Sequence, residues 1–344
     1  MSILDFWDNA ADGVYDRFVL GTDAPYEIRR LLAQEDRELT GVIESYFATG
    51  HDVVFIEIGS GTGRYIRLFG KLIFTNELYR KHLSYIVGTD FSMNMIETSA
   101  HTLVSSTTLH KNKTLSLITE LKTITGLPSK DILATLSKRF QLLHADATKP
   151  FLEASNAKIV VGIMFGTLGN IPDAAAVISN VKSLVHNEGI VIVTVFNSEA
   201  IDVGFKAYSE LTKRGFTNLA PLRWDPDNSV FTSDLGFYSR WYSFQEIKTL
   251  IESNLETKAD IIPLASQGLL AKATLSSVPK TSQPSRNQNE YPTLKVLCPN
   301  CGNPISVVPV TDKKLLCDRC ARDYAVTTIK PLCIPSLFPS SFKD

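Results

Sequence analysis

Hydrophobic positions change their spacing repeatedly along this chain, and the changes mark out its elements. Up to about residue 50, Phe6, Trp7, Tyr15, Phe18 and Val19, then Ile28, Leu31, Leu32, Leu39, Val42, Ile43, Tyr46 and Phe47, follow the period of helices with one apolar face. The run Val53-Val54-Phe55-Ile56-Glu57-Ile58 is continuous instead, which predicts a strand buried on both faces. It breaks into Gly59-Ser60-Gly61-Thr62-Gly63, after which Tyr65, Ile66, Leu68 and Phe69 resume helical spacing. Tyr85-Ile86-Val87-Gly88-Thr89-Asp90, Leu142-Leu143-His144-Ala145-Asp146-Ala147, Lys158 to Gly166 and Glu188 to Val195 repeat the strand signal. Strands alternating with helical stretches predict an α/β fold with a parallel sheet.

Beyond residue 200 the pattern shifts. Phe231, Phe237, Tyr238, Trp241 and Tyr242 give an aromatic-rich β stretch. Ser243-Phe244-Gln245-Glu246 has the form of a capping box opening a helix through Ile247, Leu250 and Ile251. Asp260 to Leu264 and Leu269 to Leu275 predict a closing hairpin.

Four zones follow: an N-terminal helical cap (1–50), a main domain (51–277), a linker (278–292), and a C-terminal unit with its tail (293–344). The linker, from Val278 to Pro292, is rich in Pro, Ser and Asn and offers almost nothing to bury, so the tail is expected to be a separate unit. Within the main domain, about 101–140 reads as a helical insertion. Its Lys111, Lys113, Lys122, Lys130, Lys138 and Arg139 outnumber Glu120 and Asp131. This suits a lid, a weakly basic partner-binding face, or a solvated surface hairpin of helices.

An apolar fraction of 44% is ample for a core, and a net charge of −1 announces no nucleic-acid field. No apolar run approaches the roughly 18 residues of a membrane span. The N-terminus shows no basic stretch followed by an apolar one, so a cytoplasmic location is the default expectation.

The chemistry gathers at strand ends. A strand, a Gly-rich turn and a helix present backbone N–H groups to a ligand. Glu57 at the end of its strand is costly to bury without a cationic partner, and Asp90 ends the next strand where it can accept hydroxyl hydrogens. Glu57-Ile58-Gly59-Ser60-Gly61-Thr62-Gly63, Asp90-Phe91-Ser92-x-x-Met95-Ile96, the His144-Ala145-Asp146-Ala147 segment, and the runs ending Met164-Phe165 and Val193-Thr194-Val195 together resemble, in this order, the class I S-adenosylmethionine-dependent methyltransferases. The resemblance covers about residues 50–200. It implies a seven-stranded Rossmann-like sheet. It also implies a cofactor site formed by Glu57, Gly59, Ser60, Gly61, Gly63, Asp90, Phe91, Met95, Asp146, Ala147, Met164 and Phe165. Glu57 would face the methionine ammonium, Asp90 the ribose, and Asp146 the adenine amino group, with Ala147 giving the next N–H to the ring.

Cys298-Pro299-Asn300-Cys301-Gly302 and Cys317-Asp318-Arg319-Cys320 form two C-x2-C pairs, which suit a closed tetrahedral Zn²⁺ site of structural type. Two disulfides or an iron–sulfur cluster are the other readings. A segment this short needs such a staple to fold. Cys333 stands outside the pattern and reads as a buried apolar thiol. The tail is similar to a zinc ribbon, in particular to the small zinc-binding activator proteins that pair with methyltransferases. Lys313, Lys314, Arg319 and Arg322 make it locally basic, as an ordinary soluble surface also can be. With no cofactor motif beyond residue 280, a chain cut there is expected still to bind cofactor.

The acceptor is less legible. The Met164-Phe165-Gly166-Thr167 run lacks the N/D-P-P-[YF] tetrapeptide that serves amide and base nitrogens, and no Cys lies in the pocket motifs for covalent attack on pyrimidines. Gly166-Thr167-x-Gly169-Asn170 has a local similarity to the histidine α-amino methyltransferases, while Asn170 also suits a turn or cap. Tyr15, His144 and Asn170 are the candidates for substrate contact, and His144 reads equally as structural. The leading expectation is methyl transfer to N or O of a small molecule. Methyl transfer to RNA or protein is the alternative, and a cofactor-binding scaffold without catalysis is the third. Oligomeric state has no signature in the sequence.

Overall fold

A computed structural model describes residues 2–10, 15, 16, 19, 24–104, 107–109, 112–114, 116–185, 188–214, 216, 219, 221–276, 292–305, 314–329 and 332–339. Residues 278–291 of the linker and the side chains of Lys111, Lys113, Lys313, Lys314 and Cys333 lie outside that description.

The chain opens with α1 (Ile3–Ala10) and α2 (Tyr26–Ala48). Then come β1 (Val53–Ile58), α3 (Arg64–Thr75), α4 (Glu77–His82), β2 (Leu83–Asp90) and α5 (Met93–Val104). The insertion holds a small hairpin, β3 (Thr107–Leu109) and β4 (Asn112–Thr114), followed by α6 (Leu117–Thr125) and α7 (Ser129–Arg139). The sheet resumes with β5 (Phe140–His144), β6 (Leu152–Ser155), β7 (Lys158–Ile163), α8 (Ala174–Leu184) and β8 (Glu188–Phe196). A cap follows from α9 (Ile201–Lys213) and the antiparallel strands β9 (Leu222–Asp225), β10 (Val230–Ser233) and β11 (Tyr238–Arg240). α10 (Phe244–Leu255), β12 (Ala259–Leu264) and β13 (Gly268–Ser276) complete the main body.

The strands β5-β2-β1-β7-β8-β13-β12 lie side by side. The pairs from β5 to β8 are parallel, and β13 runs antiparallel to both its neighbours. This is the Rossmann-like methyltransferase sheet. The order reverses between β1 and β7, and such a switch point leaves a crevice at the carboxyl ends of the strands.

Strand alternation divides the core. Val54, Ile56 and Ile58 of β1 face Val177, Ile178 and Val181 of α8 and Ile247 and Ile251 of α10. Val53 and Phe55 face the other layer, with Leu39 and Ile43 of α2 and Tyr65 and Phe69 of α3. Glu57 continues the Val53–Phe55 side and therefore points toward α2 and α3. The insertion helices bury Leu117, Ile118, Leu121, Ile132 and Leu136 in that same layer, so they are part of the core rather than a solvated hairpin. Arg139 donates to the carbonyls of Arg80 in the last turn of α4 and Leu83 at the start of β2, so this one basic residue is tied to the backbone.

The C-terminal residues also depart from the picture of a detached unit. β14 (Thr293–Val296) pairs antiparallel with β6, and the Ser155 and Thr293 hydroxyls meet at 2.7 Å. β15 (Lys314–Leu316), β16 (Asp323–Ile329) and β17 (Leu332–Pro339) extend the sheet beyond β5 to ten strands. Cys298, Leu315, Cys317, Tyr324 and Leu337 share a core with Phe151, Leu152 and Ala154. A small segment that cannot bury enough surface alone obtains a core by joining one already present.

Candidate functional site

The glycine loop that follows β1 is held by backbone geometry as much as by sequence. Gly59 has φ +67°, and a Cβ there would lie 2.2 Å from the Thr167 methyl. Gly63, at φ +92°, is the left-handed residue before α3, and its missing Cβ leaves room for Ser99 of α5. A side chain at either position would meet both backbone strain and a clash. The loop's N–H groups are less free than the sequence suggests. Ser60 donates to the Thr89 carbonyl, Gly61 to Asp90 Oδ2 at 2.8 Å, and Gly63 to the Ser60 carbonyl. Satisfying buried donors internally locks the loop against β2.

Glu57 is 4% exposed, and its Oε2 has no hydrogen-bond partner among the described residues. Burial pushes its carboxyl well above the ordinary value, against the pull of the Arg64 guanidinium. It borders a small, partly open cavity with Tyr15, Gly59, Ser60, Gly61, Arg64, Tyr65, Met164, Phe165 and Thr167. Asp90 sits behind Gly61, with Oδ1 accepting from Ser92 N at 2.9 Å. Burial raises its pKa to about 6, against the backbone N–H groups of Ser92, Gly61 and Phe91.

Two residues that sequence reasoning missed hold this wall. Glu35 of α2 is fully buried, accepting from Arg64 at 2.7 Å through Oε2 and from Phe165 N at 2.6 Å through Oε1. Arg64 also donates to the Leu32 carbonyl at 2.7 Å and to Asp36. Phe165 has φ +48°, a strained value for a residue with a side chain, and the Glu35 bond fixes it there. The signal was present, since Glu35 falls on the apolar face of α2 between Leu31, Leu32 and Leu39, where an acid needs a buried partner. The N-terminal segment reaches the same region. Asp16 accepts from Thr62, and Asp8 accepts from the Ser92 hydroxyl.

The remaining predicted residues stand outside the cavity walls. Met95 is buried among the α1 and cap residues. Asp146 closes its own turn, accepting from the N–H and hydroxyl of Thr148 at 3.0 and 2.7 Å and facing Lys149 at 3.2 Å. Burial pushes its carboxyl up, but these partners leave it below the ordinary value. The Ala147 carbonyl accepts from Asn180. Asn170 ends a short 3-10 turn, Thr167–Asn170. Phe91 is 46% exposed, and its carbonyl lies 3.0 Å from His144 Nε2.

The four cysteines converge. All four sulfurs lie within 4.8 Å of one another, so they could hold a metal ion. The two pairs are built alike. Cys298 N donates to the Asn303 carbonyl and Gly302 N to the Cys298 carbonyl, while Cys317 N donates to Arg322 and Ala321 N to Cys317. Gly302 and Ala321 hold matching left-handed conformations, φ +69° and +54°. Tyr324 is buried with its hydroxyl 3.0 Å from Cys298 Sγ.

No protein-family model matches the sequence, and no curated protein matches it. Solved structures similar in fold are S-adenosylmethionine-dependent methyltransferases. One, from Methanosarcina mazei, is 15% identical over 66% of this chain and 93% of its own, with TM-score 0.39. The Burkholderia thailandensis 1,6-didemethyltoxoflavin N1-methyltransferase is 12% identical over 74% and 91%, with TM-score 0.35. A structure of the Haloferax volcanii Trm112 methyltransferase activator in complex with a methyltransferase matches at 12% over 79% and 98%, with TM-score 0.39. Likeness this distant says nothing of substrate. The sheet is Rossmann-like by its own strand order, β5-β2-β1-β7-β8-β13-β12. Among the described residues no helix is long and apolar enough to cross a membrane.

Proposed function

We propose that the chain is an S-adenosylmethionine-dependent methyltransferase acting on nitrogen or oxygen of a small molecule. The observation that carries this is the buried Glu57, whose Oε2 lacks a partner beside a cavity at the switch point of the sheet. An unpaired buried carboxylate calls for a cation, and the methionine ammonium supplies one. Asp90 receives the ribose hydroxyls on the lone pairs that Gly61 and Ser92 leave free. Gly59, Ser60, Gly61 and Gly63 give close backbone approach, Met164 and Phe165 flank the site, and Asp146 with Ala147 takes the adenine edge. The bound cofactor supplies an electrophilic methyl group. The chain's residues align the two reactants and exclude water.

A small acceptor is favoured by enclosure. Trp7, Tyr15, Phe165, Phe196, Trp224 and Trp241 belong to one aromatic cluster roofed by α1, α9 and the β9–β11 sheet. Tyr15 lines the cavity, which supports its reading as an acceptor contact. Cys298, Cys301, Cys317 and Cys320 would hold one Zn²⁺ with every coordination position filled, a structural role. The tail resembles activator proteins, and a supporting role in the same chain agrees with its place on the sheet edge. Incubation with labelled S-adenosylmethionine and either a metabolite extract, total RNA or a protein extract tests the acceptor. Label entering only RNA or protein would overturn the small-molecule reading, and label entering none would favour a scaffold.

A further inference from the structure

We propose that the C-terminal strand β17 positions the adenosine side of the cofactor site, acting through His144; this rests on the methyltransferase reading above. β17 meets the main sheet at one bridge, Ser336 beside His144. Side chains make the rest of the joint. His144 Nδ1 lies 2.8 Å from Ser336 Oγ, and its Nε2 lies 3.0 Å from the Phe91 carbonyl. The Phe338 ring sits 4.4 Å from the imidazole and 5.1 Å, edge to face, from the Phe91 ring.

Neutral imidazole satisfies both bonds at once. Nε2–H donates to the Phe91 carbonyl, and Nδ1 accepts from the Ser336 hydroxyl. Burial holds the His144 pKa below its ordinary value, which keeps that form. Phe91 directly follows Asp90, whose carboxylate already fixes Ser92 N and Gly61 N. The peptide between Asp90 and Ser92 is therefore pinned on one side by the glycine loop and on the other by His144. Phe91 is the exposed residue of that turn, and its ring rests on Phe338. Removing β17 frees the turn that carries the ribose acceptor, although none of its described residues lines the cavity. His144 is thus a positioning residue, and cutting the chain near residue 280 is not neutral for cofactor binding.

The test is calorimetric titration of S-adenosylhomocysteine into the full-length, zinc-loaded chain. His144→Leu, Ser336→Ala and Phe338→Ala are expected to weaken binding about three- to tenfold, the size of one lost hydrogen bond or ring contact. Zinc content and melting temperature are followed in parallel. His144→Gln retains a donor for the Phe91 carbonyl and is expected to recover most of the affinity. His144→Leu combined with Ser336→Ala is expected to be no worse than His144→Leu alone. Thr328→Ala, exposed on β16, serves as the control. Folded variants with wild-type affinity would overturn the proposal and leave the methyltransferase reading standing. A folded wild-type chain that binds no S-adenosylhomocysteine would overturn that reading and this proposal with it.

Discussion

Glu57 is costly where it stands. Its burial, with Oε2 unpartnered, makes the empty site less stable than an amide there would be. Glu57→Gln is expected to raise the melting temperature of the unliganded chain while lowering S-adenosylmethionine affinity at least tenfold, since bonds to a charged group are worth about 1.5–3 kcal/mol. Both quantities moving in the same direction would contradict the role. Asp90 adds a pH dependence. Its folded pKa of about 6 lies above the ordinary 3.8, so the folded chain holds a proton over that interval that the unfolded chain has released. Its contribution to stability is therefore full below the lower value and is lost as pH rises through the upper one. Cofactor binding to the ionised carboxylate runs the other way. The Asp90 contribution to affinity is expected to fall about tenfold per unit as pH drops below its folded pKa of about 6. In Asp90→Asn the part of this dependence centred near pH 6 is expected to disappear, leaving that of Glu57, whose carboxyl burial also raises. At Asp146, Asn preserves an acceptor and should be milder than Ala; equal and negligible effects of both would reject its adenine role.

Element by element, the chain shows what pattern can reveal. The continuous runs of β1 and β7, the capping box of Ser243 and Glu246, and the closing hairpin β12–β13 were all legible, because burial on one or both faces fixes apolar spacing. Glycine spacing marked the loop but not its hydrogen bonds, since the Thr89 carbonyl and the Asp90 carboxylate come from another strand. Glu35 on the apolar face of α2 signalled a buried partner, but which partner was hidden for the same reason. Nothing local says that Glu35 meets Arg64 and Phe165 across the fold. Glu35→Ala leaves the Phe165 N–H unpaired and is expected to cost about 2–3 kcal/mol, read by urea unfolding. Glu35→Gln keeps an acceptor and should cost less. An Ala variant as stable as wild type would mean that the strained Phe165 turn is held by other contacts.

At the scale of the whole molecule, the cysteine spacing foretold the cluster, but the linker composition suggested a detached ribbon. Composition cannot report that β14 would pair with β6, or that β15–β17 would extend the sheet past β5. Because Cys298, Cys317 and Tyr324 share a core with Phe151 and Leu152, metal removal should act on the entire molecule. Metal analysis is expected to find about one zinc per chain. Stripping it with a chelator should lower a single thermal transition rather than melt a separate small unit. Two resolved transitions, the larger unchanged by the chelator, would show that the tail is energetically independent.

The methyltransferase assignment is tested most directly by titrating S-adenosylmethionine into the folded, zinc-loaded full chain and following the heat. One molecule bound per chain, with affinity reduced at least tenfold in Asp90→Ala, is the predicted result. No binding in the folded chain, or binding of a nicotinamide dinucleotide in its place, would contradict it.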